Sequence, residues 1–533
     1  MSDHQMEDGD EELDSMMAAS FNSYAEDEDE DDAFVSEEDE EASLFAPVVR
    51  ERDVRKGHEI EFGVCAVSDI VQRQAREVSH VVGILGCLES TAATLLRHFK
   101  WNKERLIEQF YADGNADAVC AAAGVVVDSA KQPKPVVLPG FECSICYDDS
   151  NGLESLALGC GHRFCSPCYQ RYLHQKVAEE GESRRIQCLH SACNFIVDEK
   201  TVETLVEPPI FEKYQKLLLR TYVDDNKYLK WCPYPNCEYA IECRVTNAQL
   251  DEIVPSVACS DGHRFCFGCT LPDHQPCVCS LVKLWLKKCA DDSETANWIS
   301  ANTKECEKCN STIEKNGGCN HMTCRKCKYE FCWVCMGPWS DHGTQWYNCN
   351  RFDEKAGVDA RDNQAKSRAA LERYLHYFNR YANHEQSAKL DKELSEKIEV
   401  KMQEMQKSSD MSWIEVQFMK SAKETLLEAR NTLKWTYCFA YYLTRNNSTL
   451  LFEDNQRDLE MAVEQLSGLL ESQFEPGKLT TLKQQVIDKS VYVAGRRDVL
   501  LTATSKDLLD GKMVWDTDVG NTFNLEPASS SKK

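Results

Sequence analysis

Apolar and polar positions alternate in different ways along this chain of 533 residues. Residues 1 to about 55 carry few aliphatics and read as unstructured, because such a segment cannot bury enough apolar area to offset its ordering entropy. From about Ile60 to Ala123 the spacing turns helical. Ile70, Val71, Val78, Val81, Val82, Leu85 and Leu88 come first, then Leu95, Leu96, Phe99, Leu106, Ile107 and Phe110 in STAATLLRHFKWNKERLIEQFY, with Ser90 expected as an N-cap. The stretch Ala121 to Pro139, with Pro133 and Pro135 inside it, reads as a linker. Helical periodicity returns over Val202 to Lys230 and again over residues 280–302, a connector. From Arg351 to about Leu509, Pro and Gly are scarce and long amphipathic helices are expected. The aromatic run around Trp435, Tyr437, Phe439, Tyr441 and Tyr442 reads as core, and the end of the chain, ASSSKK, as unstructured.

Between these helical stretches lie three cysteine-rich segments. The first is Cys143-x2-Cys146-x13-Cys160-x-His162-x2-Cys165-x2-Cys168-x19-Cys188-x4-Cys193, eight ligands for two zinc ions with none to spare. In a cross-brace, Cys143, Cys146, Cys165 and Cys168 share one ion, and Cys160, His162, Cys188 and Cys193 the other. The second runs from Cys232 to Cys279. Cys266, Cys269, His274 and Cys279 complete one ion; Cys232, Cys237 and Cys259 leave the other short of a ligand. The candidates for its fourth ligand are Asp261, whose carboxylate oxygen is an acceptable zinc ligand, and His263, with a water-completed site as the remaining alternative.

The third segment, residues 303–349, holds eight cysteines and two histidines, two more ligands than a pair of zinc ions needs. Cys306/Cys309, Cys324/Cys327 and Cys332/Cys335 are C-x2-C pairs. The last two ligands are either Cys319 with His321, which gives a cross-brace, or His342 with Cys349. The second choice binds the ions one after another along the chain and frees Cys319-Asn320-His321 behind Gly317-Gly318. Spacing alone leaves both open.

The net charge of -27 is uneven: residues 1–50 carry nineteen carboxylates against one arginine. This balance argues against a nucleic-acid grip, which needs clustered Lys and Arg. No apolar run approaches the length of a membrane helix and no signal-peptide pattern opens the chain. A cytoplasmic protein is therefore expected, with the nucleus as a further option, and its 28 cysteines are expected as ligands or thiols rather than disulfides. Cys65, Cys87, Cys120, Cys243, Cys277, Cys289 and Cys438 fall outside every cluster and read as single buried thiols.

The runs TKECEKC, NGGCNHM and EFCWVCMGPWSDHG followed by WYNCN resemble the RING2 (Rcat) module of the Ariadne branch of RING-between-RING (RBR) ubiquitin ligases. The earlier segments are similar to that family's RING1 and in-between-RING (IBR) domains, LLRHFKWN..RLIEQF to its UBA-like domain, and the C-terminal helices to its Ariadne domain; where the family's IBR usually has C-x-C this chain has Cys259-Ser260-Asp261, so the resemblance favours Asp261 as the fourth ligand. The resemblance implies a multidomain α+β chain in which zinc-stabilised RING1, IBR and RING2 modules are flanked by the two helical domains. The expected bounds are a tail over 1–55, UBA-like domain 56–123, linker 124–140, RING1 141–200, helix and IBR 201–279, helical linker 280–302, RING2 303–350, Ariadne domain 351–510 and tail 511–533.

It also implies six zinc ions and the sequential arrangement in RING2, with Cys306, Cys309, Cys324 and Cys327 on one ion and Cys332, Cys335, His342 and Cys349 on the other. Cys319 then accepts ubiquitin as a thioester from an E2 recruited by RING1, where Ile145 stands at the E2-contact position. Asn194, after the last RING1 ligand, replaces the arginine that scaffold-type RINGs often carry there. Transfer to a substrate lysine needs a base, because the amine is protonated at neutral pH. His321 is expected in that role and Glu330 as its orienting partner. The family further implies autoinhibition by the Ariadne domain, for which Glu464 is singled out, and activation by neddylated cullin-RING ligases through the UBA-like region. The competing reading is a scaffold-type RING ligase or zinc-dependent adaptor without a thioester.

Overall fold

The computed structural model describes residues 56–112, 115–126, 133–291, 303–315, 318–342, 349–352, 363–408, 416–472 and 479–516. The acidic tail, residues 292–302 of the connector and the last residues of the chain lie outside them. Two compact units emerge: Phe62–Arg244 with Ala258–His263, and the remainder.

In the first unit the N-terminal periodicity becomes four helices, Val67–Leu85, Glu89–His98, Lys103–Tyr111 and Ala116–Ala123. Ser90 is not the N-cap: the second helix starts after Leu88, and Ser90 lies in its first turn, where its carbonyl accepts from Thr94 Oγ1. Asn102 caps the third, its side chain accepting from the N–H of Arg105 at 2.9 Å. Gly124, at φ 73°, ends the fourth. A Cβ there would come within 2.4 Å of the Asn194 carbonyl, so only glycine lets Ile196 N–H reach the Gly124 carbonyl at 2.8 Å.

The expected Val202 to Lys230 helix is two helices, Glu199–Leu205 and Pro208–Asp225. Pro208 and Pro209 fix the start of the second. This helix faces two ways. Tyr222 and Val223 join Ile70, Val81, Leu95, Leu96 and Leu106 in one core, with Trp101 edge-on to Tyr222 at 4.6 Å. Tyr214 and Leu218 join Leu156, Phe164, Tyr169 and Leu173 in the core of the first cysteine segment. That segment carries a three-stranded antiparallel sheet, Val136–Val137, Glu154–Ala157 and Arg163–Cys165, followed by the helix Ser166–His174. Val136 and Val137, expected in a linker, form its edge strand. A second sheet pairs Phe62–Cys65 with Ala240–Cys243 and the latter with Leu229–Trp231.

The second unit is dominated by four helices, Asn363–Ser408, Phe418–Tyr441, Asn447–Glu471 and Leu479–Leu509, around one apolar core. Trp435, Tyr437, Phe439 and Tyr442 are buried in it, as the pattern implied, whereas Tyr441 is partly exposed. The connector's first half is the helix Cys279–Asp291, whose Trp285 is fully buried among Tyr374, Phe378, Tyr381, Tyr441 and Tyr442, at ring separations of 5.4–6.4 Å. The expected C-terminal tail is packed at its start: Asp516 N–H donates to the Tyr442 carbonyl at 2.9 Å. Of the unassigned cysteines six are buried, but Cys277 and Cys438 are not single, their sulfurs lying 3.3 Å apart, and Cys289 is half-exposed. Among the described residues no single helix is long and apolar enough to cross a membrane.

Candidate functional site

The three C-x2-C pairs of residues 303–349 adopt the same local turn. Cys306 N–H donates to the Ser311 carbonyl, Cys324 N–H to Tyr329 and Cys332 N–H to Gly337, at 2.8–2.9 Å. Asn310, Lys328 and Met336 close the turns at φ 54°, 60° and 64°. Short antiparallel strands flank the first two: Thr303–Glu305 with Thr312–Glu314, and His321–Thr323 with Glu330–Cys332. Each turn thus points two sulfurs to one side.

Zn–S bonds of about 2.3 Å in a tetrahedron separate sulfurs by about 3.8 Å. Cys306 lies 3.6 Å from Cys327, and Cys309 3.6 Å from Cys324. Cys335 Sγ is 3.1 Å from His342 Nε2, and the Cys349 thiol is in hydrogen-bond contact with Cys332 and Cys335. His342 Nδ1 faces the Pro338 carbonyl at 3.1 Å, which leaves Nε2 as the ligating atom. The arrangement is sequential, and Cys319 is in neither set.

The other segments also assemble donor sets that fit zinc. Cys143, Cys146, Cys165 and Cys168 come together, as do Cys160, His162, Cys188 and Cys193, and Cys266, Cys269, His274 and Cys279. The fourth group of the remaining set differs from the expectation. Cys232, Cys237 and Cys259 gather with His263, whose Nδ1 is 3.4 Å from Cys259 Sγ and 3.7 Å from Cys232 Sγ. Asp261 sits at the exposed tip of the Cys259–His263 turn and reaches only Cys237, at 3.5 Å, from outside. The turn, closed by Gly262 N–H on the Cys259 carbonyl at 3.0 Å, directs residue 263 inward and residue 261 outward.

Cys319 follows Gly318 on a loop held from the helix Asn447–Glu471. Gly318 and Cys319 N–H groups donate to Glu471 Oε1 at 3.1 and 3.2 Å. Asn320 N–H and Nδ2 donate to the two oxygens of Glu464, the latter at 2.9 Å. Cys319 Sγ lies 3.9 Å from the Glu464 carbonyl oxygen. Burial, and then the Glu464 carboxylate, push the Cys319 thiol well up, so in this arrangement it is protonated and a poor nucleophile.

Beneath the loop, buried Lys315 donates to Asn320 Oδ1, Asn383 Oδ1 and Ser387 Oγ at 3.2, 2.9 and 2.7 Å. Arg430, fully buried, donates to Glu464 Oε1 at 3.3 Å and to Ser467 Oγ at 2.9 Å. His321 Nε2 is 3.3 Å from Glu330 Oε2, so those two expected partners meet, both open to solvent. Ile145 is 43% exposed, as a contact residue must be. Sequence reasoning missed Glu471, Lys315, Asn383, Ser387 and Arg430. Only the helical spacing of Glu464 and Glu471, seven residues apart on one face, carries a signal for the first.

Comparison with known proteins agrees with this division. Family models match residues 72–112 (E3 ubiquitin-protein ligase ARIH1, UBA-like domain), 143–188 (zinc finger, C3HC4 type), 212–279 (IBR domain, a half RING-finger domain), 301–350 (IBR domain) and 372–514 (Ariadne domain). The E3 ubiquitin-protein ligase dbl4 of Schizosaccharomyces pombe is 52% identical over 88% of this chain and 92% of its own length. Ariadne-1 of Drosophila melanogaster is 45% identical over 83% and 88%, and human ARIH1 44% identical over 83% and 79%. With the helical, RING, IBR and Ariadne segments in this order and these relatives matched along most of their length, the chain belongs to the Ariadne-type RING-between-RING family of E3 ubiquitin-protein ligases.

Proposed function

We propose that this chain takes ubiquitin from an E2 onto Cys319 and passes it to lysines of protein substrates. The observation that carries the reading is the position of the Cys319 sulfur outside both donor sets of its module. A zinc-bound thiolate is a weaker nucleophile, whereas a free one can exchange thioesters at little free-energy cost. In the first step the Cys319 thiolate attacks the thioester carbonyl and the E2 thiolate leaves. In the second, the substrate amine attacks, Cys319 leaves as thiolate, and His321 takes the amine proton with Glu330 holding the imidazole.

RING1 docks the E2, with exposed Ile145 in the contact. Six zinc ions hold the three modules, His263 completing the first IBR site. Autoinhibition is supported by the hydrogen bonds through which Glu464 and Glu471 cover the catalytic loop. Neddylated cullin-RING ligases engaging the UBA-like region release it, and the enzyme works in the cytoplasm.

The test is a full-length chain with Cys319→Ser, Glu464→Ala and Glu471→Ala, given ubiquitin-loaded E2. An ubiquitin ester on this protein that survives thiol reductant supports the reading. Ubiquitin that reaches substrate with no adduct ever forming at position 319 would establish the scaffold-type alternative.

A further inference from the structure

His321 is held from two directions. Its edge meets Glu330, and its face meets Trp339, whose indole lies 4.3 Å away and 11° from parallel. Trp339 also lies against the metal-set histidine His342, with ring centroids 5.5 Å apart and planes within 2°. Trp339 opens the turn Trp339–His342, and Pro338 before it bridges to Phe331 of the strand Glu330–Cys332. The indole is therefore built into the metal-bearing half of the module, while His321, whose side chain is 35% exposed, stands at the end of a three-residue strand.

One hydrogen bond at Nε2 leaves an imidazole free to rock about that contact. A parallel aromatic face removes this freedom. From this stacking we propose that Trp339 is a positioning residue for ubiquitin transfer: it fixes the plane of His321 so that, with Nε2–H given to Glu330, Nδ1 is the nitrogen presented to the attacking amine. The proton leaves the amine nitrogen for Nδ1, the carbonyl carbon gains the C–N bond, and the C–S bond to Cys319 breaks. The imidazolium so formed stays against the indole face and the Glu330 carboxylate, both of which favour a cation. The inference rests on the thioester reading above and adds a residue to it. The first step, in which the E2 supplies a thioester and no amine proton is moved, does not need the stack.

The experiment uses the full-length chain with Glu464→Ala and Glu471→Ala as parent, charged from an E2, isolated, and discharged onto free lysine. Trp339→Leu keeps apolar bulk over the turn but has no ring. It is expected to load at the parent's rate with unchanged zinc content and to discharge about tenfold more slowly or worse, within the range of a misplaced base. Trp339→Phe is expected to restore most of the discharge rate, and Trp339→Leu to add nothing in a His321→Ala background, since both changes remove one function. Discharge by Trp339→Leu at the parent's rate, an undiminished effect of it in the His321→Ala background, or equal loss of loading and discharge together with zinc would each overturn the role of Trp339. A parent that never forms a thioester overturns the underlying reading instead, and this one with it.

Discussion

Glu464 grips Asn320 twice, its two carboxylate oxygens receiving the backbone N–H and the side-chain amide of the residue that follows the candidate nucleophile. The pair is buried, and the same carboxylate faces Arg430. Charge-assisted hydrogen bonds of this kind each contribute about 1.5–3 kcal/mol. Replacing Glu464 and Glu471 by alanine in the full-length chain is therefore expected to speed ubiquitin loading of Cys319 by about 10- to 100-fold. Glu464→Ala alone is expected to give most of this gain, because Glu471 is exposed. Loading rates from a charged E2 measure it; an unchanged rate would mean that opening the shield does not limit the reaction.

Cys319→Ala is expected to abolish loading with zinc content and melting temperature unchanged, since the thiol sits outside the metal sets. His321→Ala is expected to load normally and to discharge about 10²–10⁴-fold more slowly. Glu330→Gln is expected to fall between, because its carboxylate is 57% exposed and water can take part of its place. Single-turnover loading and discharge, followed separately, distinguish these outcomes.

Metal analysis of two IBR variants tests the corrected ligand. His263→Ala is expected to lose the zinc shared by Cys232, Cys237 and Cys259, whereas Asp261→Asn is expected to retain it. Loss in both would mean that the carboxylate closes the site when the ion is bound.

His376 gives a pH dependence with a definite sign. Burial, then Arg380, lower its pKa from 6.5 to about 3, and its Nε2 lies 3.0 Å from the Asn350 carbonyl. Between pH 6.5 and 3 the unfolded chain holds a proton there that the folded chain refuses. Stability from this group is thus complete above pH 6.5 and falls as the pH drops through that window, by an upper bound of about 4–5 kcal/mol. Melting curves of His376→Gln against wild type over this range are expected to converge toward acid. Parallel curves would remove His376 from the acid response.

The metal sets were legible because a C-x2-C turn is local: its geometry is the same at Cys306, Cys324 and Cys332, whatever surrounds it. What spacing could not tell was which way a turn faces. Asp261 and His263 differ by two residues on one loop, and only the folded turn puts the imidazole inside. Resemblance, not spacing, favoured the sequential reading of residues 303–349.

The cover over Cys319 was less visible for a different reason. Glu453, Gln456, Glu460, Glu464, Ser467 and Glu471 recur at helical spacing, which reads as a wet face beside the apolar Phe452, Leu459, Val463, Leu466 and Leu470. The first five are buried. Their partners lie far away in sequence: Asn350 for Gln456, Tyr437 for Glu460, Asn320 for Glu464. A polar stripe on a helix with two covered sides cannot be told from a solvated one until those donors are found.

The two carboxylates over the loop stand on one continuous helix, about two turns apart, and a helix that moves as a unit does not let one leave while the other stays. Tilting it far enough to lift Glu471 from Gly318 also drags Glu464 from Asn320. On the autoinhibited reading proposed above, the two contacts are therefore expected to break together: half-released molecules would be scarce, and graded occupancy by an activator would change how many molecules are open rather than how far each one opens.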